Sequence, residues 1–236
     1  MAESRLRLRG TEKTWITVLF LAILFLISLS VYEENVGRNV DRARELESVR
    51  IEEYEGKRLS SLDDFRENSI KGPQRIEIGS YRLRVTDTRN NSKEYTYEQI
   101  INNLQKYKKV VTLNCVEGWS VTILWEGVLV RDVIGKNATP PDAKVIIFHA
   151  YDGYTTSLPV DYIMEKDIIM AYRMNNVTLP PERGFPFELA AESKWGYKWI
   201  KWITEIELSN KTDYRGYWES RGYSNSGDMD KGFFEE

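Results

Sequence analysis

Two apolar runs, Val110-Val111-Thr112-Leu113 and Val121-Thr122-Ile123-Leu124-Trp125, bracket the segment Asn114-Cys115-Val116-Glu117-Gly118-Trp119-Ser120. β-Branched residues favour strands and Glu-Gly marks a turn, so the stretch reads as strand, turn, strand with Cys115 at a strand end. There the thiol is either displayed toward a ligand or packed as a small hydrophobe, the usual fate of an unpaired cysteine. Cys115 is the only cysteine of the 236-residue chain. An intramolecular disulfide is therefore impossible, and no C-x-x-C pair or Cys/His zinc cluster exists. The single histidine, His149, excludes bis-histidine haem ligation within the chain. A redox centre here has to rest on Cys115 or on a non-covalent cofactor.

Residues 14–32 contain no charged side chain and are dominated by Leu, Ile, Val and Phe, the length and composition of a membrane-spanning helix. Trp15 and Tyr32 sit at its ends as interfacial aromatics. Arg5, Arg7, Arg9 and Lys13 precede the span and Glu33 and Glu34 follow it, which by the positive-inside rule leaves the amino terminus in the cytoplasm and the rest outside. A cleaved leader is the alternative, with Ser28 and Ser30 as a weak small-x-small site. Four Asn-x-Ser/Thr sequons, at Asn90, Asn137, Asn176 and Asn210, lie on the side expected to be external. The organisation expected is a basic head at 1–13, an anchor at 14–32, a charged helical stalk at 33–58 and one domain at 59–236. A net charge of −3 and a pI near 5.5 give no basic field for nucleic acid.

Within the domain, Ile76-Glu77-Ile78 and Tyr81 to Val85 alternate as half-buried strands do. Thr96 with Gln99 forms a capping box for a helix running to about Lys108. The spacing predicts short helices over 128–134 and 161–166, strands over 144–148, 168–172, 187–191 and 199–208, and a turn at Asn175-Asn176. Short strands mixed with scattered helices say α+β, not a doubly wound sheet.

A second informative region is Leu179-Pro180-Pro181-Glu182-Arg183-Gly184-Phe185-Pro186-Phe187-Glu188-Leu189, followed by Lys194-Trp195-Gly196-Tyr197-Lys198-Trp199-Ile200-Lys201. Lys194, Lys198 and Lys201 around a glycine turn with interleaved rings can hold a flat, anionic ligand. The same pattern also describes an edge strand protected by lysines. His149 and Glu117 each have two readings: His149 a satisfied edge residue or a proton donor, Glu117 a group orienting the Cys115 loop or one reaching substrate.

Cys-Val-Glu-Gly-Trp-Ser resembles the molybdenum-ligand segment of the sulfite-oxidase superfamily, and more closely that of the bacterial periplasmic methionine-sulfoxide reductase catalytic subunits. Lys-Trp-Gly-Tyr-Lys-Trp-Ile-Lys is similar to those subunits' pterin-binding string, with Leu-Pro-Pro-x-x-Gly-x-Pro at the same offset before it. The tail from Tyr214 to Ser224 resembles the family's closing aromatic segment. The resemblance covers about Tyr54 to the end and implies a sulfite-oxidase-like molybdopterin-binding fold. It also implies molybdenum bound by one pterin dithiolene and by Cys115, with Arg183, Trp199, Ile200 and Lys201 as cofactor contacts; Lys194 and Lys198 of the lysine cluster are candidate contacts beside them, and Glu117 and His149 are candidate catalytic residues with Cys115. Two positions depart from the pattern: Glu188 stands where relatives carry a pterin-binding arginine, and Ala150 where they carry a threonine.

The activity implied is oxygen-atom transfer, reducing a sulfoxide or another small S- or N-oxide, with sulfite-like oxidation as the alternative. Electrons would come from a haem- or quinone-linked membrane protein, since the chain has no haem or flavin motif. Two readings from other classes remain open. One is an extracytoplasmic binding or scaffold domain without cofactor; the other is a nucleophilic-cysteine enzyme pairing Cys115 with His149.

Overall fold

The computed structural model describes residues 18–30, 32, 50–135 and 138–234, which fall into two units, one within residues 1–49 and one from Arg50 onward. In the first, residues 18–30 and 32 are helical with side chains exposed. Among the described residues no helix is long and apolar enough to cross a membrane. The anchor expected over 14–32 and most of the stalk expected over 33–58 run onto residues outside those described.

Among its described residues the second unit holds twelve strands: β1 (Glu53–Tyr54), β2 (Lys57–Arg58), β3 (Leu83–Thr86), β4 (Ser92–Tyr95), β5 (Tyr107–Asn114), β6 (Ser120–Leu129), β7 (Val145–Ala150), β8 (Thr155–Pro159), β9 (Ile169–Met174), β10 (Val177–Thr178), β11 (Glu188–Ala190) and β12 (Ile203–Ser209). The last residues assigned to the stalk are thus no helix. β1 and β2 form a hairpin closed by Glu55 and Gly56, both at positive φ, the turn that matches strand twist.

One five-stranded sheet runs β10-β9-β6-β5 with β11 also on β9, antiparallel throughout; the other runs β4-β3-β12-β7-β8 and is parallel only between β3 and β12. One apolar core draws on both sheets, with Ile123, Trp125 and Met170 from the first and Leu83, Phe148 and Ile206 from the second. Mixed sheets with few short helices agree with the α+β expectation.

Several elements fall where the sequence pattern put them. The Thr96 side chain accepts from the Gln99 N–H, and the Gln99 side chain accepts from Thr96, capping a helix over Tyr97–Asn103. That helix stops short of Lys108 because Tyr107 already begins β5. Gly135, at φ 91°, closes the helix Val130–Ile134, and Asn175 and Asn176 turn the chain at φ 43° and 69°. Ile76-Glu77-Ile78 is not a strand: Ser80 and Tyr81 donate back to the Glu77 carbonyl, turning the chain before a partner strand is met, while Ile76 and Ile78 still pack on the core. The strand expected over 199–208 starts only at Ile203, because Trp199 closes a 3-10 turn on Gly196. β4 and β8 were not expected.

β6 pairs with both β5 and β9, and its register to β9 shifts between Glu126 and Gly127. At Gly127 a Cβ would collide with the Met170 carbonyl oxygen and stand 2.7 Å from Ala171 Cα. The clash is with backbone, which cannot swing aside. Gly127→Ala is expected to destabilise the domain by at least ~1–3 kcal/mol, the usual cost of overpacking, read as a lowered midpoint in thermal unfolding. An unchanged midpoint would mean that β9 does not lie against β6 at this position.

Candidate active site

The turn between β5 and β6 is closed by its own backbone: the Cys115 N–H donates to the Trp119 carbonyl (2.9 Å) and the Gly118 N–H to the Cys115 carbonyl (3.1 Å), with Gly118 at φ 84°. Cys115 is 9% exposed, and burial pushes its thiol above the ordinary range, with Arg183 pulling the other way. Against this turn lies the one after Lys194. Asn114 and Trp195 form a parallel bridge, and a Cβ on Gly196 would come 3.2 Å from the Asn114 carbonyl oxygen and 3.4 Å from Cys115 Cα. The two segments singled out in the sequence are therefore in backbone contact. Trp199 follows directly, its ring centroid 5.6 Å from that of Trp125 and its indole N–H on the Lys194 carbonyl at 3.0 Å.

The cavity on which these turns open has a volume of about 460 Å³. Cys115, Glu117, Arg183, Trp199, Ile200 and Lys201 all line it. Glu117 accepts from the Trp119 indole (3.1 Å) and from Asn68 (3.1 Å), so its carboxylate ties the segment around Asn68 to the cysteine turn. Phe65 stands edge-on to both Trp119 and Trp125, and the Arg183 guanidinium lies 4.0 Å from its centroid. Arg183 donates to Glu188 Oε1 at 2.7 Å, and burial holds the Glu188 carboxyl above its usual range against the pull of Arg183 and Lys201. Lys201 donates to Glu67 (2.9 Å) and to the Glu182 carbonyl (3.3 Å), and its ammonium lies 4.5 Å from the Trp202 ring.

Three residues expected near the chemistry lie elsewhere. Lys194 is buried in an ion pair with Asp228 and donates to the Ser226 carbonyl at 2.9 Å. Lys198, fully buried, donates to Glu219 (2.5 Å) and to the Ser157 carbonyl (3.0 Å); burial lowers its pKa and Glu219 opposes that. His149 is on β7 with Nε2 2.9 Å from Glu207 on β12. None of the three lines the cavity, so the Cys115–His149 pair needed for a nucleophilic cysteine is not formed. Ala150 is buried and donates its N–H to the Tyr154 carbonyl.

Wall residues not assigned from sequence include Arg66, Asn68, Asp152 and Tyr154, and from the aromatic tail Tyr217, Trp218 and Tyr223. The tail's ring density was the available signal. Nothing local marks the residues around Asn68.

Lys198 and Glu219 fasten that tail to the 196–198 turn. Lys198→Met would leave the Glu219 carboxylate buried with the Thr156 hydroxyl (2.6 Å) as its remaining side-chain donor. The expected loss is ~3–5 kcal/mol in denaturant unfolding, much of it regained in Lys198→Met/Glu219→Leu, where no charge stays buried. A double variant as unstable as the single one would remove the charge argument.

Residues 70–218 match the family model described as oxidoreductase molybdopterin binding domain. The chain is 34% identical over 124 residues to the uncharacterized oxidoreductase YuiH of Bacillus subtilis, covering 52% of this chain and 62% of that one. It is 30% identical over 149 residues to the putative protein-methionine-sulfoxide reductase subunit YedZ1 of Azospira oryzae, covering 63% of this chain and 56% of that one. The chain thus spans less than two thirds of either relative. Among solved structures, the sulfane dehydrogenase SoxCD from Paracoccus pantotrophus shares the fold, with a TM-score of 0.59 at 17% identity, covering 68% of this chain and 44% of that chain. Because the family match takes in more than half of the chain and includes both turns that meet at Gly196, the protein belongs to the molybdopterin-binding oxidoreductase family.

Proposed function

We propose that the protein is a membrane-anchored, extracytoplasmic enzyme that reduces a sulfoxide or another small S- or N-oxide by oxygen-atom transfer, at a molybdenum held by one pterin dithiolene and the Cys115 thiolate. The observation that carries this reading is a lone sulfur set on a cavity wall that also presents Arg183 and Lys201. Among the described residues no group of three or more His, Cys, Asp or Glu side chains could hold a metal ion. A metal placed at Cys115 would take its remaining ligands from a cofactor, and a soft thiolate beside a dithiolene suits molybdenum.

The residues fit such a cofactor. Arg183 Nε and Glu188 Oε2 are buried, line the cavity and have no hydrogen-bond partner. Both residues line the cavity, and their unpaired atoms lie just behind its wall, so the polar demand at this corner is not met by the protein alone. Arg183 and Lys201 would hold the cofactor's polar, phosphate-bearing end, and the Trp199-Ile200 segment would flank the flat part. When bound, the molybdenum-pterin group supplies the two-electron oxygen transfer.

The chain's own side chains do the rest. The self-closed turn fixes the sulfur, Glu117 holds the Trp119 ring and Asn68 together, and Phe65 packs edge-on against Trp119 and Trp125 behind that wall. Glu188, which departs from the family pattern, has its charge met by Arg183, so the carboxylate does not by itself argue for a domain without cofactor. Sulfite-like oxidation is the second reading, favoured by the cations Arg66, Arg183 and Lys201 on the wall.

Support for the anchor is the uncharged stretch 14–32 with basic residues before it and acidic residues after it. Such an anchor suits a haem- or quinone-linked electron donor in the same membrane. The relative YedZ1 carries a methionine-sulfoxide reductase subunit name, which places sulfoxides first among the substrates to test.

Wild-type full chain from a cofactor-making host is expected to carry near-stoichiometric molybdenum and pterin and to reduce sulfoxides with a reduced viologen dye. Cys115→Ser should lose at least about 100-fold in activity, more than outer-sphere partners are worth, and most of its molybdenum. Oxidation of sulfite with ferricyanide, without sulfoxide reduction, would select the second reading; a folded chain without metal or pterin would reject both.

Gly196→Ala probes the contact between the turns. Its Cβ must push the Asn114 carbonyl and Cys115 Cα back by a few tenths of an ångström. Molybdenum content should fall with little change in thermal midpoint, and full occupancy would show that the sulfur's position does not depend on this contact.

A further inference from the structure

The cavity carries an electrostatic problem of its own. Arg66, Arg183 and Lys201 line the wall, and so do Glu117, Asp152 and Glu188. The formal charges cancel, and Glu67, paired with Lys201, adds one more carboxylate just behind. A dianion such as a phosphate monoester thus enters a site without net positive charge, although two cations converge there. The simplest remedy is to neutralise one carboxylate.

The three candidates differ. Glu117 accepts from Trp119 and Asn68, and Asp152 accepts from the Tyr154 N–H at 2.9 Å. Glu188 is wholly buried, is held by Arg183 through one oxygen, and leaves Oε2 without a partner, as Arg183 leaves Nε. Its backbone site is tight as well: a Cβ on Gly184 would stand 3.1 Å from Glu188 Cβ and 3.0 Å from Lys201 Cβ, so the two side chains leave the backbone close together.

Resting on the cofactor reading above, we propose that Arg183, Glu188 and Lys201 form a proton-coupled anion site, in which a phosphate-type dianion binds Arg183 and Lys201 while the Glu188 carboxylate takes up one proton from solvent. No bond other than that O–H forms. Protonated Glu188 becomes a donor through Oε2 and releases Arg183 from its charge.

The charged groups facing Glu188 among the described residues are Arg183 from the Pro181–Arg183 turn and Lys201 after Trp199-Ile200, with Glu67 behind Lys201; β9 presents Ala171 opposite it. Burial already favours the protonated form. The sign follows from this. Where Glu188 is ionised, each rise in pH makes the required proton scarcer and weakens the anion; below that range affinity levels off.

The test uses cofactor-free full chain and inorganic sulfate, which stays a dianion across the range and adds no titration of its own. Calorimetry in buffers of different ionisation heat, between about pH 5 and 8, should show proton uptake on sulfate binding that approaches one per sulfate where Glu188 is ionised and vanishes toward acid pH where it is already protonated. Affinity should fall by up to about tenfold per pH unit where Glu188 is ionised. Glu188→Gln keeps an acceptor for Arg183 and should bind sulfate without proton uptake and with affinity independent of pH.

In the wild type a protonated-carboxyl infrared band should appear on sulfate addition, a readout that stands even if the variant does not fold. Uptake persisting in Glu188→Gln, binding without uptake in the wild type at every pH, or no sulfate binding overturns the proposal. Molybdenum and pterin content of chain from a cofactor-making host reports the parent reading separately: full cofactor with no proton uptake rejects the coupled site alone.

Discussion

Gly196 has only hydrogen where any other residue would press on the Asn114 carbonyl and the Cys115 backbone. That absence lets the cysteine turn lie directly on the 3-10 turn leading to Trp199, Ile200 and Lys201. The position of the cysteine turn relative to the 196–198 turn is therefore set by backbone against backbone. Side-chain rotamers could not hold it as closely, because a long side chain spreads its position over several wells, whereas a hydrogen-bonded turn has one. Trp125 beneath Trp199 extends the contact into the core, so the site inherits the rigidity of β5 and β6.

Buried charge organises the other side of the cavity. Lys194 with Asp228 and Lys198 with Glu219 each join the 194–198 segment to the C-terminal stretch. Neither pair is an economical way to gain stability, since taking two ions out of water offsets most of their attraction. What they specify is position: a tail displaced from the turn would leave ammonium and carboxylate groups buried alone. With the tail in place, Tyr217, Trp218 and Tyr223 become wall, and their packed rings close the cavity without supplying further charge.

This explains what could be read in the sequence and what could not. The Cys115 turn, the Thr96 cap and the Gly196 turn are local patterns, each fixed by residues within a few positions of one another, and all three were legible. Lys194 and Lys198 look like solvated cations beside aromatic rings, because their counter-charges come from much later in the chain. Glu192, two residues before Lys194, pairs with Lys109 instead, so only the folded tail shows what neutralises these lysines. β4, Ser-Lys-Glu-Tyr, was missed because its alternation is polar and its partner is β3. The Arg66 to Ile70 segment was missed because an extended loop carries no periodicity, although it supplies a wall of the cavity. Glu188 was seen as an anomaly, and the structure supplies its partner in Arg183.

The division of labour at the site follows from these constraints. A thiol pushed up by burial is a weak nucleophile, so the same enclosure that limits side reactions leaves Cys115 quiet until a metal displaces its proton. A single protein ligand at Cys115 would fix a metal's place but not its orientation, which under the proposed reading would come from the cofactor's contacts with Arg183 and Lys201. Under the proposed reading, Cys115 and the pair Arg183 and Lys201 would hold the same cofactor at two points. Glu188 sets a buried carboxylate between those cations, and its ion pair with Arg183 ties the anchoring group to the strand β11.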